Sequence, residues 1–135
     1  MVLADPEDNT FCVMEDRAAY RGTGPIAALP LDSADPERDA AFWAAITGWI
    51  PWEGVGGAVT LRHPSEIGPL LALCPEPEPK RGKNRLHLDV RPAPEDGHLA
   101  ERAVEMGASR ASRSGEFPWT VMADPSGNEF CVLPT

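Results

Sequence analysis

Along most of this chain, apolar and polar positions alternate in short runs separated by turn residues. The clearest case is Trp119 to Leu133. Alternating runs flank Asp124-Pro125-Ser126-Gly127-Asn128, which predicts strand, tight turn, strand. Proline sets one φ, glycine accepts a positive φ, and the Asp and Asn side chains can bond nearby backbone. In the second run Glu129, Cys131 and Leu133 share one face, and Phe130 and Val132 the other. A carboxylate beside a thiol on one strand face is either functional or exposed, because an unpaired buried carboxylate is costly.

The same pattern opens the chain. Val2 to Met14 aligns with Val121 to Leu133 without a gap, sharing Val, Ala, Asp, Pro, Asn, Phe, Cys and Val. So close a match suggests that the chain begins with the closing hairpin of a preceding copy of the same domain. A second reading keeps this segment as a strand that pairs with a sheet edge, in cis or in a homodimer. A third is a loose terminus. The copy has Thr10 where Glu129 stands, so it keeps the thiol without the carboxylate and is expected to pair as a strand rather than build a second site. Residues 15–24 are polar and read as a linker, making 1–24 a terminal segment and 25–135 the domain proper.

From residue 25 the periodicity is regular. Ile26–Leu31 predicts a strand. Asp35-Pro36-Glu37 predicts a helix start, with Asp35 as N-cap, and apolar Phe42, Trp43 and Ile46 carry the helix to a stop at Gly48. Phe42, Trp43 and Trp49 read as core aromatics. Ala58–Leu61 and Leu70–Cys74 predict strands. The alternating prolines of residues 75–79 make a stiff connector. Arg85–Val90 predicts a strand with His87 and Asp89 on one face. Pro94-Glu95-Asp96 predicts a second helix, closed by Gly107, before the Trp119–Leu133 hairpin. The pattern is a βαβββ unit written twice, over halves 25–79 and 83–135. It predicts an α+β fold: paired βαβββ modules forming a curved mixed sheet around a cavity, helices outside.

Composition narrows the function. At 135 residues and 42% hydrophobic, the chain is one soluble domain with a single core. The net charge of -9 argues against nucleic acid or an anionic membrane as partner, since phosphate binding needs a basic surface. No run is apolar enough to span a membrane, and the N-terminus lacks a signal-peptide pattern, so a cytoplasmic location is expected. Three cysteines, an odd number, suggest free thiols or ligands rather than a disulfide framework.

The candidate chemistry lies on the alternating strands. His87, Asp89 and Glu129 are expected to line a cavity, because polar groups repeated on inward strand faces are otherwise expensive. Trp119 either walls that cavity or caps the core. Lys83, Asn84 and Arg85 are either turn residues or an anion contact at the cavity mouth. His63 and His98 have no assigned role.

Phe42-Trp43 through Gly48-Trp49, Lys83 to Asp89 and Asp124 to Cys131 together resemble the glyoxalase-like branch of the vicinal oxygen chelate superfamily, which includes glyoxalase I, extradiol dioxygenases and bleomycin-resistance proteins. The resemblance implies four metal-ligand positions on strands facing the cavity, and these fall on Ala28, near Cys74, on His87 and on Cys131. The usual carboxylate or histidine is missing at the first and the last. Two readings follow. Cys74, His87 and Cys131 form a soft three-ligand site suited to a divalent metal, zinc above all, with Glu129 and Asp89 as general bases or as partners of the ligands. Alternatively the cavity is metal-free and binds a small, antibiotic-like molecule. The first reading implies isomerase, lyase or dioxygenase-type chemistry on a small oxygenated substrate. The second implies a binding or resistance protein.

Overall fold

The computed structural model describes residues 1–112 and 115–135. Three sheets are present. β1 (Val2–Ala4) and β2 (Thr10–Cys12) form a separate antiparallel hairpin. The first half contains β3 (Ala28–Ser33), α1 (Pro36–Thr47), β4 (Ile50–Trp52), β5 (Val59–Arg62) and β6 (Leu70–Pro75), with sheet order β3-β6-β5-β4. The second contains β7 (Leu88–Val90), α2 (Leu99–Glu105), β8 (Ser109–Arg110), β9 (Thr120–Ala123) and β10 (Glu129–Val132), with order β7-β10-β9-β8. In each half the first strand pairs parallel to the last, and the other pairs are antiparallel. The expected paired βαβββ modules are present. The sheets stay open rather than closing into a barrel.

Local chemistry explains most boundaries. The Asp35 carboxylate accepts a hydrogen bond from Arg38 N at 3.1 Å, capping α1, and Gly48 ends it with a left-handed φ of 72°. Apolar faces of both sheets meet α1 and α2 in one core. Phe42 and Trp43 of α1 meet Phe130 of β10 edge-on, with centroids 5.9 and 5.2 Å away. Leu61, Leu71 and Leu73 enter that core from the first sheet, and Met122 and Val132 from the second.

Two expected elements are shorter than the sequence suggests. The strand expected from Arg85 begins only at Leu88. Phe130 pairs with Leu88 in parallel, so His87 falls opposite the first residue of β10, and Arg85 and Leu86 fall opposite the Asp124–Asn128 turn, where no strand is available to pair. The helix expected from Pro94 begins at Leu99. Asp96, in the expected opening turn, is taken by Arg102 at 2.7 Å, and Gly97 disfavours helix close to that start. The edge strands β4, which contains Pro51, and β8 complete the expected βαβββ units at positions that the sequence pattern does not mark. Proline is tolerated at a sheet edge because one side of the strand needs no donor.

The N-terminal hairpin reproduces the C-terminal one in its bonds as well as its residues. Leu3 pairs with Phe11 as Met122 pairs with Phe130. Asp5 Oδ1 accepts from Asn9 N at 2.9 Å, as Asp124 Oδ1 does from Asn128 N at 2.9 Å. Asp8 takes the left-handed conformation (φ 62°) that Gly127 takes in the copy (φ 90°). The surroundings differ: Phe130 is fully buried, whereas Phe11 is 47% exposed. β1 and β2 pair only with each other among the described strands. Part of the expected linker is packed, too. Thr23 is buried, and Gly68 N donates to Gly22 O at 3.2 Å.

Candidate functional site

The candidate site is built on the parallel pair β7 and β10. Phe130 and Val132 point into the core, so Glu129 and Cys131 take the opposite face of the sheet. Leu88 packs against the core and Val90 is buried in it, so Asp89 also faces away, directly opposite Cys131. His87, one residue before β7, lies beside Asp89, with Nε2 3.3 Å from Asp89 Oδ1. The ligand-type atoms of His87, Asp89 and Cys131 all lie within 4.8 Å of one another. His87 and Asp89 are exposed and Cys131 is buried. Burial pushes the Cys131 thiol pKa up, and the Asp89 carboxylate pushes it further, both by its charge and by accepting a hydrogen bond. Lys83 acts in the opposite direction, so a cation lies close enough to favour the thiolate.

The remaining sequence candidates lie elsewhere. Cys74 sits on β6 opposite Asp32 of β3, and its thiol donates to Ala72 O at 3.5 Å. Burial, then the Asp32 charge, pushes that thiol up. Cys74 is outside the group formed by His87, Asp89 and Cys131, among the described residues, so the thiol that pairs with His87 is Cys131 alone. Ala28 has no ligand atom to offer. Glu129 is held from both sides: Lys80 Nζ is 3.0 Å from Oε1, and Asn84 N donates to Oε2 at 3.1 Å. Burial alone would raise the Glu129 pKa. The Lys80 and Asn84 bonds outweigh it, and the net direction is down. Glu129 thus fastens the connector between the halves. Arg85 is exposed ahead of β7, and its guanidinium helps hold Asp5 of the N-terminal hairpin ionised, after the hydrogen bonds from Asn9. Trp119 precedes β9 and is 40% exposed, stacked on Phe117 at 5.5 Å with the rings 3° apart.

Two roles were not visible in the sequence. Lys80 follows the proline connector and looks like a solvated lysine until Glu129 is placed beside it. Asp89 was assigned as a base, and its place opposite Cys131 depends on the β7–β10 register, which no local pattern fixes.

A cleft of about 400 Å³ adjoins this site. It opens where β3 meets β7, over α1, and its walls include Leu29, Ile46, Trp49, Leu88 and Asp89. Trp49, read from the sequence as core, lies on this wall, half-buried. Asp89 belongs to both features, whereas His87 and Cys131 are not among the cleft's walls. The donor set fits a tetrahedral zinc-type ion: imidazole, carboxylate and thiolate, with one open position. Ligands at about 2.0–2.3 Å from one ion stand closer to each other than 4.8 Å, so the three groups would draw in slightly to hold one. Among the described residues no helix is long and apolar enough to cross a membrane.

Comparison with known proteins places this geometry. A hypothetical protein from S. aureus has the same fold, with a TM-score of 0.62 at 16% identity, covering 86% of this chain and 98% of that one. A glyoxalase/bleomycin resistance protein/dioxygenase family enzyme from Burkholderia phytofirmans gives 0.58 at 17% identity, covering 78% of this chain and 94% of that one. A fosfomycin resistance protein from Mesorhizobium loti gives 0.58 at 12% identity, covering 82% and 90%. At these identities the likeness is one of fold. No curated protein matches the sequence. The model of the glyoxalase-like domain matches residues 28–133, both βαβββ halves and every residue of the candidate group. The chain belongs to the glyoxalase-like domain family of the vicinal oxygen chelate superfamily.

Proposed function

We propose that this protein binds a small oxygenated molecule in the cleft beside β7, and that His87, Asp89 and Cys131 hold a divalent ion, zinc by preference, at its edge. One observation carries this reading. Three ligand-type side chains of different chemistry converge within 4.8 Å on adjacent parallel strands, on the face turned away from the core. When bound, such an ion would polarise substrate oxygens as a Lewis acid. The chain's own residues do the rest. Leu29, Ile46 and Trp49 exclude water from the apolar part of the molecule, and Lys83 offers a cation beside Cys131. Glu129 is not free to move a proton, because both its oxygens are already occupied. An isomerase- or lyase-type step on vicinal oxygens follows from that arrangement.

Cobalt(II) titration tests it. Thiolate-to-metal absorption should appear in the wild type, vanish in Cys131→Ser and weaken in His87→Ala. Cys74→Ser should behave as wild type. A protein that takes up no cobalt or zinc at micromolar concentration would sink the metal reading.

A second reading has its own support. Without an ion the three groups satisfy one another, through the His87–Asp89 contact and the Cys131 thiol bond to Asp89. The cleft could then bind a small, antibiotic-like molecule with Asp89 as its orienting group. A thermal-shift screen with such compounds in chelator separates the two readings. Free Cys12, Cys74 and Cys131 suit a reducing, cytoplasmic setting. The bare apolar face of the β1–β2 hairpin suits a homodimer contact, which the solution mass of a chain lacking residues 1–14 would test.

A further inference from the structure

Arg62 ends β5 and is only 2% exposed. Its neighbour Leu61 points into the core, so Arg62 lies on the opposite face of the first sheet. Among the described residues no carboxylate lies within ion-pair distance of it. Its guanidinium carbon sits 4.6 Å from the centre of the Trp52 ring. Nη2 donates to the backbone carbonyls of Arg21 and Glu66. Among the described residues Nε–H has no partner, and neither does the adjacent Trp52 Nε1–H, although both are buried.

Stability does not account for this arrangement. A buried cation without a counter-charge is costly, and each orphaned donor adds to that cost. An apolar side chain in its place would be cheaper. The orientation is informative. The Nε–Nη2 edge of a guanidinium is a fork that grips a carboxylate or phosphate with two parallel bonds. Here one prong is empty and the other rests on a carbonyl that belongs to the segment preceding β3.

We propose that the Nε–Nη2 edge of Arg62, together with Trp52 Nε1–H, is a receptor for the oxyanion head group of a small molecule, and that residues 21–24 are a strap holding it closed. The site lies in the first half and is separate from the His87 group. Its ligand class is a carboxylate or phosphate, which would replace the neutral Arg21 carbonyl with a charged acceptor and also satisfy both empty donors. The strap is seated by the buried Thr23. Its contacts include the Arg62 bond and the Gly22–Gly68 backbone bond, and Gly22 has a positive φ of 78°. A Cβ at Gly22 would stand 2.9 Å from both Arg62 Nη2 and Glu66 O, so a side chain there forces the strap away.

The test is calorimetric titration of the full chain with sodium phosphate and, separately, sodium acetate, at constant ionic strength against chloride. Saturable binding of at least one anion is expected, and the arm that responds identifies the head group. Trp52→Phe should weaken it about 5–10-fold, and Arg62→Lys should abolish it. Gly22→Ala should tighten it several-fold while lowering the thermal midpoint without anion. If Arg62→Lys fails to fold by circular dichroism, Trp52→Phe and Gly22→Ala decide. The proposal is overturned if neither anion binds, if the Trp52→Phe protein binds as the wild type does, or if Gly22→Ala loses stability without gaining affinity.

Discussion

The duplicated hairpin permits one substitution to be made twice, in the same local motif and in two surroundings. Asp124→Ala removes the acceptor for four donors: Trp43 Nε1 at 3.1 Å, Ser126 N at 3.0 Å, Asn128 N at 2.9 Å and Asn128 Nδ2 at 3.2 Å. Trp43 and Asn128 are buried, so water cannot easily replace the lost oxygen atoms. Two or three buried donors left unpaired, at about 1–3 kcal/mol each, give roughly 2–9 kcal/mol. Burial pushes the Asp124 pKa up against the pull of the bonds from Asn128 and Trp43, so removing the carboxylate recovers part of that cost. The expected net loss is about 3 kcal/mol. Urea unfolding should show it as a midpoint lowered by ~1–2 M, given a slope of about 2 kcal/mol per molar. Asp5→Ala breaks the equivalent turn bonds to Glu7 N, Asn9 N and Asn9 Nδ2. Water reaches that turn, and no core aromatic depends on it. The global urea midpoint should not move. A loss below about 1 kcal/mol for Asp124→Ala, or equal losses for the two variants, would refute the claim that tertiary burial sets the weight of this turn.

The same comparison extends to packing: Phe130→Ala should cost about 3–5 kcal/mol in urea unfolding, and Phe11→Ala should leave the midpoint in place. Glu129 has a folded pKa below its unfolded value, so its contribution is present above the ordinary carboxylate pKa and is lost as pH falls through the depressed one. Glu129→Gln should therefore lower thermal stability at pH 7, by under about 1 kcal/mol for this partly exposed pair, with the gap to wild type closing in acid. Burial and Asp89 keep the Cys131 thiol protonated near neutrality, so metal uptake must release that proton. Zinc affinity measured by competition should accordingly rise from pH 6 to 8; a flat profile would remove Cys131 from the ligand set.

Much of the fold was legible because its signals act over a few residues. Asp35 caps α1 through a bond three residues away, and Gly48 ends it by its own backbone freedom. The Asp124–Asn128 turn closes through bonds within five residues, which is why its copy at Asp5–Asn9 forms the same turn without a core behind it. The site was legible only in part. Cys74 and Cys131 look alike in the sequence: each is a thiol near the end of an apolar strand. Which of them meets His87 depends on which strand β7 pairs with, and it pairs with β10.

The chain alone determined the two βαβββ units, the face of each strand and the repeated hairpin. These follow from periodicity, capping and turn chemistry, which are properties of neighbouring residues. The tertiary structure decided the rest: that Asp89 joins His87 and Cys131, that Glu129 is bound to Lys80 and Asn84, and that Arg62 is buried with no carboxylate beside it among the described residues. Each of these joins or separates groups far apart in the chain, through strand register and burial. A local pattern restricts which face a side chain takes but not which partner waits there.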